Sequence, residues 1–377
     1  MQYRRFGRTN RYLSVFSLGT MRCLSSAETV RQTVVRALEL GINHIETARG
    51  YGQSEVYLGQ ALQSDLPLSR DRLFLTTKLV PTPDAATMRQ AIADSLHRLQ
   101  VDYLDAIALH GLNTPQHLAW VQAPDGCLPA LREARAAGQV RHLGFSTHGA
   151  LDLILAALEI EDFEFVNLHY YYFLQRQAAA IARAAERDLG IFIISPADKG
   201  GQLYAPSAKL AQLCQPLTPL DFNYRWLLSD QRLTTLSFGA RQPEDLTAIA
   251  AIADQTGPLS ADEQAIAHRL EQALTTTLDP DCCRQCYQCL PCPEAIQIPE
   301  VLRLRNLAVA YDMTAFGRYR YGMFENAGHW FPGRRGDRCT DCGDCLPRCP
   351  EQLDIPRLLR DTHQRLAGRD RRRLWED

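Results

Sequence analysis

Eight cysteines near the C-terminal end of the chain have types and spacings suited to binding a metal cluster. The first four follow the pattern C-x2-C-x2-C-x2-C-P and the last four the pattern C-x2-C-x2-C-x3-C-P. They are Cys283, Cys286, Cys289, Cys292, Cys339, Cys342, Cys345 and Cys349. Three closely spaced thiolates on a tight turn can reach three corners of an iron–sulfur cubane, so the fourth ligand comes from elsewhere. Two [4Fe–4S] clusters are therefore predicted, with structural zinc, which usually uses two separated C-x2-C pairs, and disulfides as the alternatives.

The second cysteine run resembles the bacterial ferredoxin pattern residue for residue. In ferredoxins with two clusters, the fourth cysteine of each run ligates the cluster of the other run. The resemblance implies two ligand sets, namely Cys283, Cys286 and Cys289 with Cys349, and Cys339, Cys342 and Cys345 with Cys292. Cys282 is adjacent to Cys283 and could compete for the same iron.

The chain of 377 residues is long enough for one large domain and one small domain, and its hydrophobic residues, 46% of the total, are enough to bury a sizeable core. Its net charge is −2, with acidic and basic residues interspersed, which argues against nucleic acid as a partner. The N-terminal segment lacks the apolar core of a signal peptide, and no apolar run approaches the ~20 residues of a membrane span. Thiolates reserved for metal fit a reducing compartment, so we expect a cytoplasmic protein without a membrane span.

Short apolar runs alternate with amphipathic helical stretches from residue 10 to about residue 260. The predicted strands are 15–18, 44–47, 73–78, 105–109, 140–146, 163–168, 191–195 and 234–238. Alternation of strand and helix indicates a parallel sheet, and eight such units fit an α/β fold of the (β/α)8 TIM barrel type. The residues before the first strand resemble a small hairpin that closes the bottom of the barrel. A further helical stretch ends at residue 278, and the spacer 301–320 between the cysteine runs is also predicted to be helical.

Titratable residues lie at the predicted C-terminal ends of three consecutive strands, where barrels of this type place their catalytic groups. Strand two ends at Glu46 with Tyr51 just beyond it, strand three ends at Lys78, and strand four is followed by His110. A carboxylate, a phenol, an ammonium and an imidazole at one rim form a candidate group for proton transfer.

Five segments carry distinctive motifs, namely GINHIETARGYGQSEVYLG at 41–59, TTK at 76–78, LDAIALH at 104–110, GFSTH at 144–148 and GAR at 239–241. By these segments and their order, roughly the first 260 residues resemble the aldo/keto reductases. With the cysteine runs and the segment ISPADKGG at 194–201, the whole chain is similar to the aldo/keto reductases that carry a C-terminal 4Fe–4S module. The resemblance implies a reductase barrel over residues 1–262 and a helical ferredoxin-type domain over residues 263–377.

The resemblance also implies catalytic roles. Tyr51 would protonate the carbonyl oxygen as hydride reaches carbon, and His110 would orient the carbonyl. A phenol with a pKa of about 10 is a weak acid near neutrality, so the Lys78 cation would lower that pKa. Glu46 stands where the family has an aspartate, and its extra methylene requires an adjusted Lys–Tyr geometry.

A nicotinamide cofactor, NADP(H) or NAD(H), is implied in the same way. The residues matched to its binding are Gly19, Thr20, Met21, Ser146, Asn167, Ser195, Gly239, Ala240 and Arg241. Arg241 could pair with a 2′-phosphate, whereas Asp245 lies where many members have Arg or Gln, and a carboxylate near a phosphate is unfavourable. The choice between NADP and NAD stays open at this point.

The leading hypothesis is an oxidoreductase that reduces a small-molecule carbonyl, an aldehyde or a ketone, with NAD(P)H. Hydride carries two electrons and a cubane passes one at a time, so the role of the clusters is open. One alternative is a ferredoxin-linked reductase that takes electrons through the clusters from a ferredoxin-like donor, without nicotinamide. The other is a redox-sensing or electron-carrying protein built on a barrel.

Overall fold

The structure is a computed structural model that describes residues 1–371. By compactness the chain divides into two units, residues 1–199 with 224–258 and residues 200–223 with 259–371. The predicted division into a domain of residues 1–262 and one of residues 263–377 stays a prediction. Within the described residues, no helix is both long and apolar enough to cross a bilayer.

The chain begins with the hairpin that the sequence predicts. Tyr3–Arg5 (β1) pairs antiparallel with Tyr12–Ser14 (β2). Phe6, between the two strands, is 1% exposed, and its ring lies 5.9 Å from that of Phe74 and 5.2 Å from that of Phe165. Because Phe74 and Phe165 begin their strands, the hairpin inserts an aromatic ring into the N-terminal end of the barrel.

The barrel consists of eight parallel strands that close on themselves in the order β10-β3-β4-β5-β6-β7-β8-β9. The strands are Phe16–Gly19 (β3), His44–Glu46 (β4), Phe74–Leu79 (β5), Leu104–His110 (β6), Val140–Ser146 (β7), Phe165–Leu168 (β8), Gly190–Ile193 (β9) and Thr235–Phe238 (β10). All eight predicted strands are present, and the (β/α)8 barrel is confirmed. The predicted strand 191–195 ends at Ile193, because Ser195 adopts a left-handed backbone with φ +55°.

Helices connect the strands and build the second unit. In chain order the α-helices are Ala27–Glu39 (α1), Ser54–Leu62 (α2), Ala85–Leu99 (α3), Pro115–Gln122 (α4), Cys127–Ala136 (α5), Leu151–Leu158 (α6), Ala178–Glu186 (α7), Ala208–Cys214 (α8), Pro219–Ser229 (α9), Thr247–Ala250 (α10), Ala261–Leu278 (α11), Ile298–Tyr311 (α12), Thr314–Tyr321 (α13) and Ile355–Leu366 (α14). The boundary between the two units falls inside α9.

The second unit is helical, with a cysteine loop before each of α12 and α14. Its long helix α11 begins at a capping box, in which the side chains of Ser260 and Glu263 each accept a hydrogen bond from the other residue's backbone N–H. Helices α12 and α13 occupy the spacer between the cysteine runs, so the predicted helical spacer is confirmed.

Candidate active site

The four residues predicted for proton transfer lie together at the C-terminal rim of the barrel. Glu46 ends β4, Lys78 is the next-to-last residue of β5, and His110 ends β6. Neighbouring parallel strands bring these ends to one rim, and Tyr51 is held just beyond β4 by its backbone N–H, which donates to Ala48 O at 3.0 Å.

Lys78 and Glu46 form a buried ion pair. Lys78 Nζ contacts Glu46 Oε2, and the two side chains are 2% and 6% exposed. Lys78 Nζ also donates to Thr47 O at 3.2 Å, and the Ser237 hydroxyl donates to Glu46 Oε1 at 3.0 Å. Glutamate, in the place of the family's aspartate, therefore still reaches the lysine, and Ser237 holds its second oxygen. The sequence analysis did not identify Ser237, although its place near the end of the last strand would have indicated the same rim.

Burial governs the charge of Lys78. Removal from water lowers the pKa of Lys78 to about 7, and the contact with Glu46 opposes this shift. Burial, and secondarily the nearby charge of Lys78, lower the pKa of His44 to about 3, so that this core histidine is neutral at neutral pH. The rim thus holds an ammonium that can lose its proton near neutrality.

Tyr51 lies beside this ammonium, and its ring is next to that of His110. Lys78 Nζ lies 5.1 Å from the centre of the Tyr51 ring, within the range of cation–π attraction. The rings of Tyr51 and His110 are 5.6 Å apart and nearly perpendicular, and both residues are less than 9% exposed. A phenol, a cation and an imidazole are thus gathered within the reach of one small substrate group.

Two of the residues matched to nicotinamide binding are adjacent at this rim. Ser146 of β7 is in register with Asn167 of β8. Ser146 Oγ accepts from Gly111 N at 3.1 Å, whereas both polar atoms of the Asn167 amide are buried without a hydrogen-bond partner among the described residues. A buried amide with both polar atoms unsatisfied is costly, which makes it suited to an amide ligand. Ser195 lies half-buried at its left-handed turn.

The loop after β3 is packed tightly against the ion pair. A Cβ on Gly19 would lie 2.6 Å from Ser237 Oγ, so only glycine fits there. The Thr20 hydroxyl donates to Glu46 O at 3.1 Å and accepts from Ser54 Oγ at 2.6 Å, while Met21 is half-buried. This loop therefore supports the ion pair as well as being matched to the cofactor.

The loop after β10 contains the residues matched to the adenosine phosphate. Gly239 and Arg241 are exposed, and Ala240 is buried. The backbone N–H of Arg241 donates to Asp245 Oδ2 at 2.7 Å. The Asp245 carboxylate thus accepts the hydrogen bond that this N–H could otherwise donate to a phosphate. This contact disfavours the binding of a 2′-phosphate at the Arg241 N–H.

The eight cysteines line two cavities in the second unit. Cysteines of the first cavity are Cys283, Cys286, Cys289 and Cys349. Those of the second are Cys292, Cys339, Cys342 and Cys345. Each cavity thus takes three thiols from one run and its fourth from the other run, which is the crossed grouping implied by ferredoxins. Cys282 is buried and lines neither cavity.

The two cysteine loops repeat the same backbone conformation. Gln285 and Asp341, two residues after the first cysteine of each run, both have a positive φ, of 56° and 58°. Tyr287 and Gly343, which follow the second cysteine of each run, also have a positive φ. Such turns direct the three thiols of a run toward one point.

The repeat extends beyond the cysteines in a way that the sequence analysis missed. Both runs continue as C-P-E-x-[IL]-x-I-P, and each Ile-Pro pair begins a helix, α12 or α14. Ile298, at the start of α12, lines both cavities. A comparison of the chain with itself at this spacing would have revealed the repeat.

A single metal ion and a cubane place different demands on the positions of their thiolates. Among residues 1–371, no three His, Cys, Asp or Glu side chains are grouped closely enough to hold a single metal ion. A tetrahedral zinc requires four sulfurs at about 2.3 Å from one point. A cubane carries its thiolates on separate irons and so needs them further apart, around a central space.

Comparison with known proteins identifies the family of the barrel. The family model described as "Aldo/keto reductase family" matches residues 16–202. An aldo-keto reductase of Mycobacterium avium (strain 104) is 30% identical over 217 residues, which cover 57% of this chain and 73% of that protein. An aldo-keto reductase of Mycolicibacterium vanbaalenii is 30% identical over 264 residues, 68% of this chain and 88% of that protein. The chain belongs to the aldo/keto reductase family and is an oxidoreductase.

Solved structures agree with this assignment at the level of the fold. The holo form of the aldo-keto reductase AKR11C1 from Bacillus halodurans superimposes with a TM-score of 0.62 and 23% identity. The match covers 71% of this chain and 96% of that chain.

Proposed function

We propose that this oxidoreductase reduces the carbonyl group of a small aldehyde or ketone with NAD(P)H, and that Tyr51 is the general acid. The observation that carries the proposal is the buried Lys78–Glu46 pair beside the Tyr51 ring and His110. A lysine costs free energy to bury and is retained where its charge is used.

Each residue of the group has a distinct task in this reaction. A substrate oxygen between Tyr51 and His110 receives a hydrogen bond from the imidazole, which polarises the carbonyl. As negative charge develops on that oxygen, Tyr51 transfers its hydroxyl proton to it. The Lys78 cation stabilises the phenolate that Tyr51 becomes, and Glu46 keeps Lys78 in place and charged.

A nicotinamide cofactor would supply the hydride when bound. The unsatisfied amide of Asn167 fits the carboxamide of such a cofactor, because each amide offers the donor and acceptor that the other needs. Ser146 and Ser195 would adjoin it on the same rim, and Gly19, Thr20 and Met21 would line its path. Gly239, Ala240 and Arg241 would contact its adenosine end, where Asp245 makes NADH as suitable as NADPH.

We also propose that the second unit holds two [4Fe–4S] clusters, one in each cysteine-lined cavity. The crossed grouping of the thiols and the repeated turns support this proposal. Such clusters would supply one-electron redox capacity.

A ferredoxin-linked reaction without nicotinamide is the second candidate. Cys286 and Cys342, one in each cavity, are exposed, so a protein electron donor could approach either cluster. The carboxylate of Asp245 in the phosphate loop also favours this reading. Membership in a family of oxidoreductases argues against the third hypothesis, a pure electron carrier.

Titration of the anaerobic protein with NADPH, and separately with NADH, tests the main proposal. Saturable enhancement of nicotinamide fluorescence, followed by oxidation of the cofactor when an aldehyde is added, is expected. If neither cofactor binds while reduced ferredoxin supports carbonyl reduction, the ferredoxin-linked reaction replaces it.

A further inference from the structure

The two cysteine runs differ in length by a single inserted residue, Arg348. The first run closes as Cys-Leu-Pro-Cys at 289–292 and the second as Cys-Leu-Pro-Arg-Cys at 345–349. Because both runs then continue as C-P-E, Arg348 is the residue that has no counterpart in the first run. Arg348 lines the second cavity, whereas the following Cys349 lines the first. The insertion therefore adds a guanidinium to one of two otherwise repeated sites.

Two hydrogen bonds hold the guanidinium of Arg348 beside the thiols of the second cavity. Its Nε donates to Asp344 O at 2.8 Å, and its Nη2 donates to Pro291 O at 2.9 Å. These carbonyl groups belong to the residues directly before Cys345 and Cys292, which both line the second cavity. The charge of Arg348 is thus anchored to both cysteine runs at this cavity.

Each cavity is lined by one acidic and one basic residue of the described chain, and an ion pair compensates one of the two. At the first cavity, Arg284 Nη1 lies 3.3 Å from Glu271 Oε1. At the second cavity, Glu294 Oε2 lies 3.3 Å from Arg334 Nη1. The positive lining charge is thus neutralised at the first cavity and the negative one at the second.

The lining charges that remain have opposite signs at the two cavities. Glu351 lines the first cavity and Arg348 the second, and neither forms an ion pair within residues 1–371. Arg348 is half-buried, so water and salt screen its charge less than that of a fully exposed side chain. The first cavity thus has an uncompensated carboxylate and the second an uncompensated guanidinium.

Solvent exposure and backbone hydrogen bonds do not separate the two sites in the same way. In both runs the second cysteine is exposed and the third is buried. The backbone N–H groups of Gln285 and Asp341, at corresponding positions, hydrogen-bond the first thiol of each run. Net charge, hydrogen bonds to sulfur and solvent exposure are the factors by which a protein sets the potential of a cluster. Because these hydrogen bonds and the exposure are matched, local charge is the factor that distinguishes the two sites.

We propose that Arg348 makes the cluster of the second cavity the one that is reduced first, so that a chain with one added electron holds that electron there. Reduction makes a cluster more negative, so a nearby cation stabilises the reduced form and a nearby carboxylate destabilises it. The added electron then lies beside the exposed Cys342, where a one-electron partner could exchange it. This inference rests on the proposed binding of two clusters.

Anaerobic potentiometric titration of the full chain with dithionite, followed by EPR, tests this order of reduction. Each step transfers one electron from dithionite to one cluster, and the wild-type protein is expected to show two separate steps. In Arg348→Gln the ratio of reduced to oxidised cluster at a fixed potential should fall about tenfold in the higher-potential step only, which is a shift of about 59 mV. Glu351→Gln is expected to raise the lower-potential step, so that the two steps approach each other.

Arg318→Gln is the matched control for the loss of one positive charge. Arg318 is an exposed arginine of α13 that donates to Arg365 O at 3.2 Å and lines neither cavity. Its replacement is expected to leave both steps in place. Arg348→Lys keeps the charge and is expected to keep two separate steps, which distinguishes the effect of the charge from that of the two hydrogen bonds.

Iron analysis of every sample distinguishes the possible failures. About eight irons per chain are expected after anaerobic reconstitution of the wild type and the variants. A wild-type chain without iron would refute the two clusters themselves. With eight irons present, a single wild-type step, an equal shift of both steps in Arg348→Gln, or a shift no larger than that in Arg318→Gln overturns the inference. If Arg348→Gln alone loses iron, Glu351→Gln decides, and movement of its higher-potential step overturns the inference.

Discussion

At the scale of single residues, the choice of lysine over arginine carries information. Lys78, Lys199 and Lys209 are the only three lysines among 41 basic residues, and the first two lie at the C-terminal rim of the barrel. Arginine stays charged under all ordinary conditions, whereas lysine can lose its proton when it is buried. A lysine whose pKa is lowered to about 7 by burial therefore makes the barrel site sensitive to pH in a range that no arginine could reach.

The rate of carbonyl reduction is expected to fall as pH rises above about 7. Deprotonation of Lys78 removes the cation that stabilises the Tyr51 phenolate, so the active form is the protonated one, present below its pKa. Glu46→Gln removes the negative partner of Lys78, which lowers that pKa further and moves the midpoint of kcat/KM to lower pH.

Glu55→Gln provides the control for this pH profile. Glu55 is also buried, accepts from the Thr77 hydroxyl at 2.7 Å, and is paired with Arg98. Its neutralisation is expected to leave the midpoint in place. A midpoint that moves equally in both variants, or that does not move in Glu46→Gln, would contradict the role of the ion pair.

Tyr51→Phe is expected to lower kcat for carbonyl reduction by about 100-fold or more, because the proton donor is lost. The cluster absorption should remain as in the wild type, since Tyr51 and the cysteine-lined cavities belong to different units. Anaerobic kinetics with a visible spectrum of each sample checks both statements. Wild-type activity in the variant would show that another group protonates the substrate.

At the scale of elements, close backbone approach fixes how helices α2 and α3 pack in the barrel unit. Gly59 lies inside α2, and a Cβ there would overlap the backbone oxygen of Arg98 and come within 2.9 Å of the carbonyl carbon of Leu99. The position has no special φ, so the need for glycine comes from space alone. Helix α2 begins at Ser54, three positions after Tyr51, so this packing also supports the segment that holds the proposed acid.

Gly59→Ala tests this packing because alanine normally favours a helix over glycine by about 1 kcal/mol. Here the added methyl meets rigid backbone, so we expect a loss of about 1–3 kcal/mol in the free energy of unfolding. Gly257→Ala is the control, since its Cβ would have no heavy atom within 4 Å. Denaturant unfolding of both variants measures the difference, and an unchanged or higher midpoint for Gly59→Ala would refute the steric argument.

At the scale of the whole molecule, the crossed grouping makes each proposed cluster site depend on both cysteine runs of the second unit. Cys349 belongs to the second run in sequence but lines the first cavity, and Cys292 does the reverse. The four thiols of each site therefore come together only when α12 and α13, between the runs, and α14, after the second run, are folded. Metal binding and folding of this unit should be coupled for that reason.

Double cysteine variants test the crossing directly. Cys286→Ala with Cys349→Ala removes two thiols of one cavity, so about four irons per chain should remain in the other cluster. Cys342→Ala with Cys349→Ala damages both cavities, and iron should fall well below that level. Iron analysis and the reduced EPR spectrum measure this, and the opposite pattern would mean that each run ligates its own cluster.

The sequence alone sufficed for those features that depend on local spacing. The alternation of apolar runs predicted eight strands, and the structure confirms them. This prediction was possible because hydrophobic periodicity and turn residues are local properties of the chain. The resemblance to aldo/keto reductases likewise indicated the family, since the rim residues Glu46, Tyr51, Lys78 and His110 occur in a fixed order along the chain. Their roles stay predictions until activity is measured.

The tertiary structure alone decided what is brought together across long separations. It decided that Ser237 holds the second oxygen of Glu46, that Asp245 takes the N–H of Arg241, and that His148, His169 and Lys199 meet. These contacts depend on strand register and on the closure of the barrel, which join residues up to 191 positions apart. No local pattern encodes such distances, because they follow from the packing of the whole sheet.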